Sequence, residues 1–100
     1  MANIAIYKFN DGTNTLPIFE SSYEYSYTDE SNGDGTITRT ITADTLPTSI
    51  SFKDSEGLVS VSYINTESIS NFSYLFQNCV NLTSVDLYNI ISSHVTDMKY

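Results

Sequence analysis

Residues 69–87 read ISNFSYLFQNCVNLTSVDL, and the fold turns on how this stretch is read. Phe72, Leu75, Phe76 and Cys79 stand at i, i+3, i+4 and i+7, the spacing that places apolar side chains on one helical face. Ser70 precedes them as an N-cap, a position where a hydroxyl accepts a bond from a free backbone N–H. Leu82, Val85 and Leu87 then supply the apolar positions of a short strand. The spacing predicts a helix, a tight turn, a short strand and a loop. Phe72, Leu75, Phe76, Leu82, Val85 and Leu87 are the expected core of this unit.

The pattern recurs on both sides. Upstream, at an offset of 24, Phe52, Leu58, Ser60 and Val61 match Phe76, Leu82, Ser84 and Val85. Downstream, at an offset of 26, Ile69, Ser70, Asn71, Phe72 and Tyr74 match Val95, Thr96, Asp97, Met98 and Tyr100. Periods of this size mark stacked supersecondary units, each with an apolar face that only the next unit covers. Residues 51–100 are therefore expected to begin an α/β leucine-rich-repeat solenoid whose last unit is incomplete. A helix opening at Val95 has too few residues before Tyr100 to offset its nucleation cost, so the native product is expected to continue beyond Tyr100.

Residues 69–100 closely resemble the repeats of BspA-like leucine-rich-repeat surface proteins, the type also found in mycoplasma lipoproteins. Val95-Thr96-Asp97-Met98 resembles the opening of that unit, Phe76-Gln77-Asn78-Cys79 its helix end, and Leu82-Thr83-Ser84-Val85-Asp86-Leu87 its strand. Ile90-Ile91 replaces the family's polar loop, and residues 1–50 have no counterpart in it. The resemblance implies a solenoid for attachment or recognition at cell or particle surfaces, and carries over no catalytic residue. Surface members of the family carry a leader, whereas MANIAIYKFN has neither a basic n-region nor an apolar h-region. Virion proteins assemble in the cytoplasm and leave by lysis, without a leader. The expectation is thus a non-enzymatic virion component of a phage or prophage, in a tail, baseplate or head fibre. Its expected partners are other virion subunits, a host receptor or further copies of itself. The alternative is a bacterial cell-surface adhesin.

Outward from the repeats, residues 1–50 read as a β-rich anchor module. Ile4 and Ile6 fall on one face of a strand, and Ala5, Tyr7 and Phe9 on the other, so both faces are expected to be covered. That makes Ile4, Ile6, Tyr7 and Phe9 a candidate contact with a partner subunit. Tyr23 to Thr42 predicts a long hairpin, with Tyr23, Tyr25 and Tyr27 on one strand face. The return strand alternates Thr36, Thr38, Thr40 and Thr42 against Ile37, Arg39 and Ile41. The tyrosines either pack on their own domain or form a carbohydrate or partner platform, with Arg39 near enough for a cation–π contact. Thr15-Leu16-Pro17 recurs as Thr45-Leu46-Pro47, and each Pro keeps its segment out of a central strand.

Charge and composition narrow the chemistry. Four Lys and Arg against 12 Asp and Glu give a net charge of −8, and Lys8, Arg39, Lys53 and Lys99 are too scattered for the basic patch that a nucleic acid or anionic membrane requires. No apolar run reaches the roughly 20 residues of a membrane span. The turn from Glu30 to Ile41 resembles a calcium loop but lacks the first Asp and the bidentate Glu, so no metal and no cofactor is expected. Cys79 lies on the apolar stripe as a small hydrophobe, and His94 has no acid placed to orient it. Asn71-Phe72-Ser73 and Asn81-Leu82-Thr83 match the glycosylation signal by chance in a bacterial setting. A polysaccharide-degrading enzyme, with paired carboxylates among the twelve acids, is the alternative from another class.

Overall fold

The computed structural model describes residues 2–69 and 75–85. Seven strands occur among them: β1 (Ala2–Asn10), β2 (Ile18–Phe19), β3 (Ser26–Ser31), β4 (Thr36–Ala43), β5 (Ile50–Ser51), β6 (Leu58–Ile64) and β7 (Ser84–Val85). Five form one sheet in the order β3-β4-β1-β6-β7, and β2 pairs with β5 in a second, two-stranded sheet. The large sheet is antiparallel except for β6 and β7, which run parallel. It is continuous across residues 50 and 51, because β1 of the N-terminal half pairs with β6 of the C-terminal half.

The alternation in β4 is the clearest match between sequence and structure. Arg39, Ile41 and Ala43 are buried and the intervening threonines are half-buried. The hairpin forms, Ser26 opposite Thr42 and Ser31 opposite Ile37, but its first strand begins at Ser26 rather than at Tyr23. β1 departs from a strict period of two. Its register against β4 shifts between Asn3 and Ala5, so Ile4 and Ala5 are both buried before Tyr7 and Phe9 continue the inward face. A bulge of this kind resets which side chains face inward. The expectation that both faces of β1 are covered is corrected for Ile6, which is only half-buried.

Both Pro17 and Pro47 are buried in loops, and each Thr-Leu-Pro leads into a two-residue strand. Those two short strands, β2 and β5, pair with each other antiparallel, as the longer β1 and β4 do.

The expected helix is corrected. Among the described residues there is no helix, and Leu75 to Asn78 form turns. Ser70 and Phe72 lie outside the described residues, as do Leu87, His94 and the match from Val95 to Tyr100. The reason is in the backbone bonds. The Leu75 and Gln77 carbonyls accept from the Phe52 and Asp54 N–H groups, both at 2.7 Å, rather than from N–H groups four residues on. The chain then tightens through Cys79 N–H to Phe76 O at 3.2 Å and Leu82 N–H to Cys79 O at 3.1 Å. The apolar positions still turn inward. Leu75 is fully buried, and Phe76, Cys79, Leu82 and Val85 pack partly buried against a core of Ile4, Tyr7, Phe9, Ile50, Phe52, Leu58 and neighbours.

Candidate functional site

Two arrangements stand out, a polar clamp in the N-terminal half and a stack of equivalent residues in the C-terminal half. The clamp centres on Arg39, which is 3% exposed although it carries a charge. Its guanidinium forks onto Asp29, Nε to Oδ1 at 2.7 Å and Nη2 to Oδ2 at 2.8 Å. Nη1 donates to the Thr15 carbonyl at 3.1 Å and to Asn14 Oδ1 at 3.3 Å. The guanidinium carbon lies 3.9 Å from the Tyr27 ring centroid and 4.6 Å from that of Phe9, a cation–π sandwich. Tyr7 Oη donates to the same Thr15 carbonyl at 2.6 Å.

These contacts account for the electrostatics. Hydrogen bonding to Asp29 raises the Arg39 pKa further above its usual value, and the same bonds hold the Asp29 carboxyl below the ordinary carboxylate range. Burial pushes the Tyr7 hydroxyl up. Nε, Nη1 and Nη2 of the guanidinium thus all donate to acceptors within the chain.

The C-terminal stack follows the offset of 24. Ser60 pairs with Ser84 and Val61 with Val85 across the parallel β6–β7 ladder. The Phe52 and Phe76 rings stack at 6.2 Å with an 18° interplanar angle. Thr83 N–H donates to Val59 O at 2.8 Å, and Asn78 Nδ2 donates to Asp54 Oδ1 at 2.8 Å. Asn81 Nδ2 reaches the Glu56 carbonyl at 2.6 Å. Cys79 Sγ donates to Phe52 O at 3.0 Å, and burial raises the thiol pKa, which favours an inert thiol.

The residues singled out from sequence divide into three groups. Ile4, Tyr7 and Phe9 are at most 1% exposed within this one chain and belong to its own core, whereas Ile6, named with them as a candidate partner contact, is half-buried. Tyr23 and Tyr25 precede β3 and pack on Phe19 of β2, at 4.8 and 5.0 Å between centroids. Tyr27 lies within β3, 42% exposed beneath Arg39. The tyrosine stripe is thus split between an aromatic cluster and the Arg39 clamp. The Glu30-to-Ile41 turn uses its oxygens internally: Asp34 Oδ1 accepts from the Thr36 N–H at 3.0 Å, and Asn32 Nδ2 bonds the Thr36 and Thr38 hydroxyls at 3.1 and 3.0 Å.

Sequence reasoning missed several positioning residues. Glu20 accepts from the Thr48 N–H at 3.0 Å and the Ser49 N–H at 3.4 Å, tying the two Thr-Leu-Pro segments together. Burial works to raise its pKa, but these backbone bonds outweigh burial and leave it lowered. Asn14 at φ 45° and Asp54 at φ 64° left no signal beyond being residues that tolerate left-handed backbone. A groove of about 450 Å³ lies between residues 13–16 and 54–57. Asp54 and Glu56 both line it and both are exposed. Among the described residues no three His, Cys, Asp or Glu side chains converge as metal ligands, and no helix is long and apolar enough to cross a membrane.

Comparison with protein-family models, curated protein sequences and solved structures finds no match to this chain.

Proposed function

We propose that this protein is a non-enzymatic recognition or structural module in which residues from about 51 onward begin a leucine-rich-repeat solenoid of the BspA-like type. The observation that carries the reading is the register of equivalent residues: Ser60 on Ser84 and Val61 on Val85, with Asp54 bonded to Asn78 at the same spacing. Repeat proteins stack in this way because each unit contacts only its neighbours, and the resulting extended surfaces are used for binding. The N-terminal strands, welded to the first repeat strand through β1 and β6, act as the anchor.

The setting we favour is the virion of a phage or prophage, where the module contributes to a tail, baseplate or head fibre and meets other virion subunits or a host receptor. A bacterial surface adhesin is the second reading, since the resembling repeats belong to surface proteins. Immunogold labelling with an antibody against this chain separates the two in the natural source. Label on released particles supports the virion reading, and label on the cell envelope supports the adhesin. Label confined to soluble cytoplasm overturns both, and depolymerisation of a host polysaccharide by the purified protein overturns the non-enzymatic reading.

A further inference from the structure

β3 is one edge of the five-stranded sheet, and all six of its residues are exposed. Its pairing with β4 runs without a register shift from Ser26–Thr42 to Ser31–Ile37. The Asn32 N–H closes the hairpin on Thr36 O at 3.0 Å. Bonded and non-bonded pairs alternate along an antiparallel ladder, so counting back from Asn32 the bonded pairs are Glu30–Thr38, Thr28–Thr40 and Ser26–Thr42. The backbone N–H and C=O groups of Tyr27, Asp29 and Ser31 therefore point away from the sheet.

Proteins commonly blunt such an edge with Pro, a bulge or charged side chains, above all Lys, and the charges of β3 are instead the acidic Asp29 and Glu30. β3 contains no Pro and no Lys, and its register has no bulge. Instead it is held straight from within the chain: Asp29 by the Arg39 fork, Tyr27 by the guanidinium above it, and the adjoining Asn32 by Thr36 and Thr38. A template already ordered loses little entropy when another strand joins it.

The charge selects the occupant. Asp29 and Glu30 lie in the strand, with Glu24 before it and Asp34 after it. Arg39 is committed to Asp29, and Lys8 acts on Asp34. Among the described residues no ion pair engages Glu24 or Glu30. A second copy would bring the same carboxylates opposite these, and like charges across a strand pair repel. At a net charge of −8 the whole molecule adds to that repulsion.

We propose that β3 is a docking edge for an extended basic segment of a partner protein, which joins the sheet through the outward backbone groups of Tyr27, Asp29 and Ser31 and sets Lys or Arg side chains against Glu24 and Glu30. The inference rests on the edge geometry and charge, and stands apart from the repeat reading.

Amide hydrogen exchange on the full chain, read residue by residue with a peptide alternating Lys and Thr as the probe, tests it. The Tyr27, Asp29 and Ser31 amides are expected to slow by about tenfold or more, since a new ladder bond must open before exchange. The amides of Thr28 and Glu30, already bonded to β4, are expected not to change. Ser31→Pro removes one outward N–H while leaving the β4 side intact, as edge strands tolerate, and is expected to weaken binding by about tenfold. Glu30→Lys, at an exposed position that does not threaten folding, is expected to weaken binding most at low salt. An alternating Glu and Thr peptide should give no protection. The proposal is overturned if the three outward amides exchange unchanged, or if both variants bind as tightly as the parent. It is also overturned if protection grows with protein concentration alone, which would assign the edge to a second copy.

Discussion

Asp54 and Asn78 adopt the same left-handed backbone conformation, φ 64° and φ 61°, and Asn78 Nδ2 donates to Asp54 Oδ1 at 2.8 Å. The turn after Phe52 and the turn after Phe76 are thus the same structural event, placed one above the other. Asp and Asn are the ordinary residues, after Gly, that accept this backbone without large strain. One position of the turn is dictated by φ and by the stack together.

A β-branched residue cannot hold that conformation cheaply. Asn78→Val is expected to cost about 1–2 kcal/mol, combining left-handed strain with loss of the hydrogen bond. Asn78→Gly keeps the backbone and loses only the bond, and should cost less. Urea unfolding of the two variants checks the order, and equal losses would show that φ is not the constraint.

The ring stack predicts unequal partners. Phe52 is fully buried while Phe76 is half-buried. Phe52→Ala is expected to cost about 3–5 kcal/mol, the usual loss for a buried Phe. Phe76→Ala should cost clearly less, since part of its ring already meets water. Denaturant midpoints at constant slope decide the comparison.

Two carboxylates are expected to make stability fall in acid. Asp29 and Glu20 are both held below their ordinary range in the folded state, Asp29 by the Arg39 fork and Glu20 by the Thr48 and Ser49 N–H groups against its burial. The unfolded chain therefore binds more protons than the folded chain at low pH. Their contribution is fully present above the unfolded carboxylate values near about 4 and is lost as pH falls through the lower folded values. Asp29 is 35% exposed at its side chain, so solvent screens its share. Melting temperatures followed from neutral pH downward should drop in this window, and Asp29→Asn together with Glu20→Gln should flatten the drop.

Gly57 packs where a Cβ would collide with Oγ1 and Cβ of Thr13. Gly57→Ala is expected to destabilise by about 1–3 kcal/mol, as forced overpacking does. Thr13→Gly in the same chain removes the clashing atoms and should recover part of the loss. Additive losses in the double-mutant cycle would show that the two positions do not meet.

Cys79 should behave as a slow thiol. Its Sγ donates to Phe52 O, and burial raises its pKa. Alkylation in the native protein near neutral pH is expected to lag well behind the urea-unfolded chain, and equal rates would show an accessible thiolate.

Much of this arrangement was legible from sequence where short-range periodicity decides. The alternation of Ile37, Arg39 and Ile41 against threonines determined the hairpin and its inward face, because side chains in a strand alternate whatever surrounds them. The offset of 24 anticipated two pairs that meet across β6 and β7, Ser60 with Ser84 and Val61 with Val85. Tertiary structure decided the rest. The i, i+3, i+4 spacing around Phe76 suits a helix, yet the Leu75 and Gln77 carbonyls bond to Phe52 and Asp54, a partner choice no local pattern contains. The β1 bulge spends Ile4, Tyr7 and Phe9 on the core. Arg39 is buried because Asp29, Asn14 and the Thr15 carbonyl converge on it from distant segments, and a charge can leave water only when such partners arrive together.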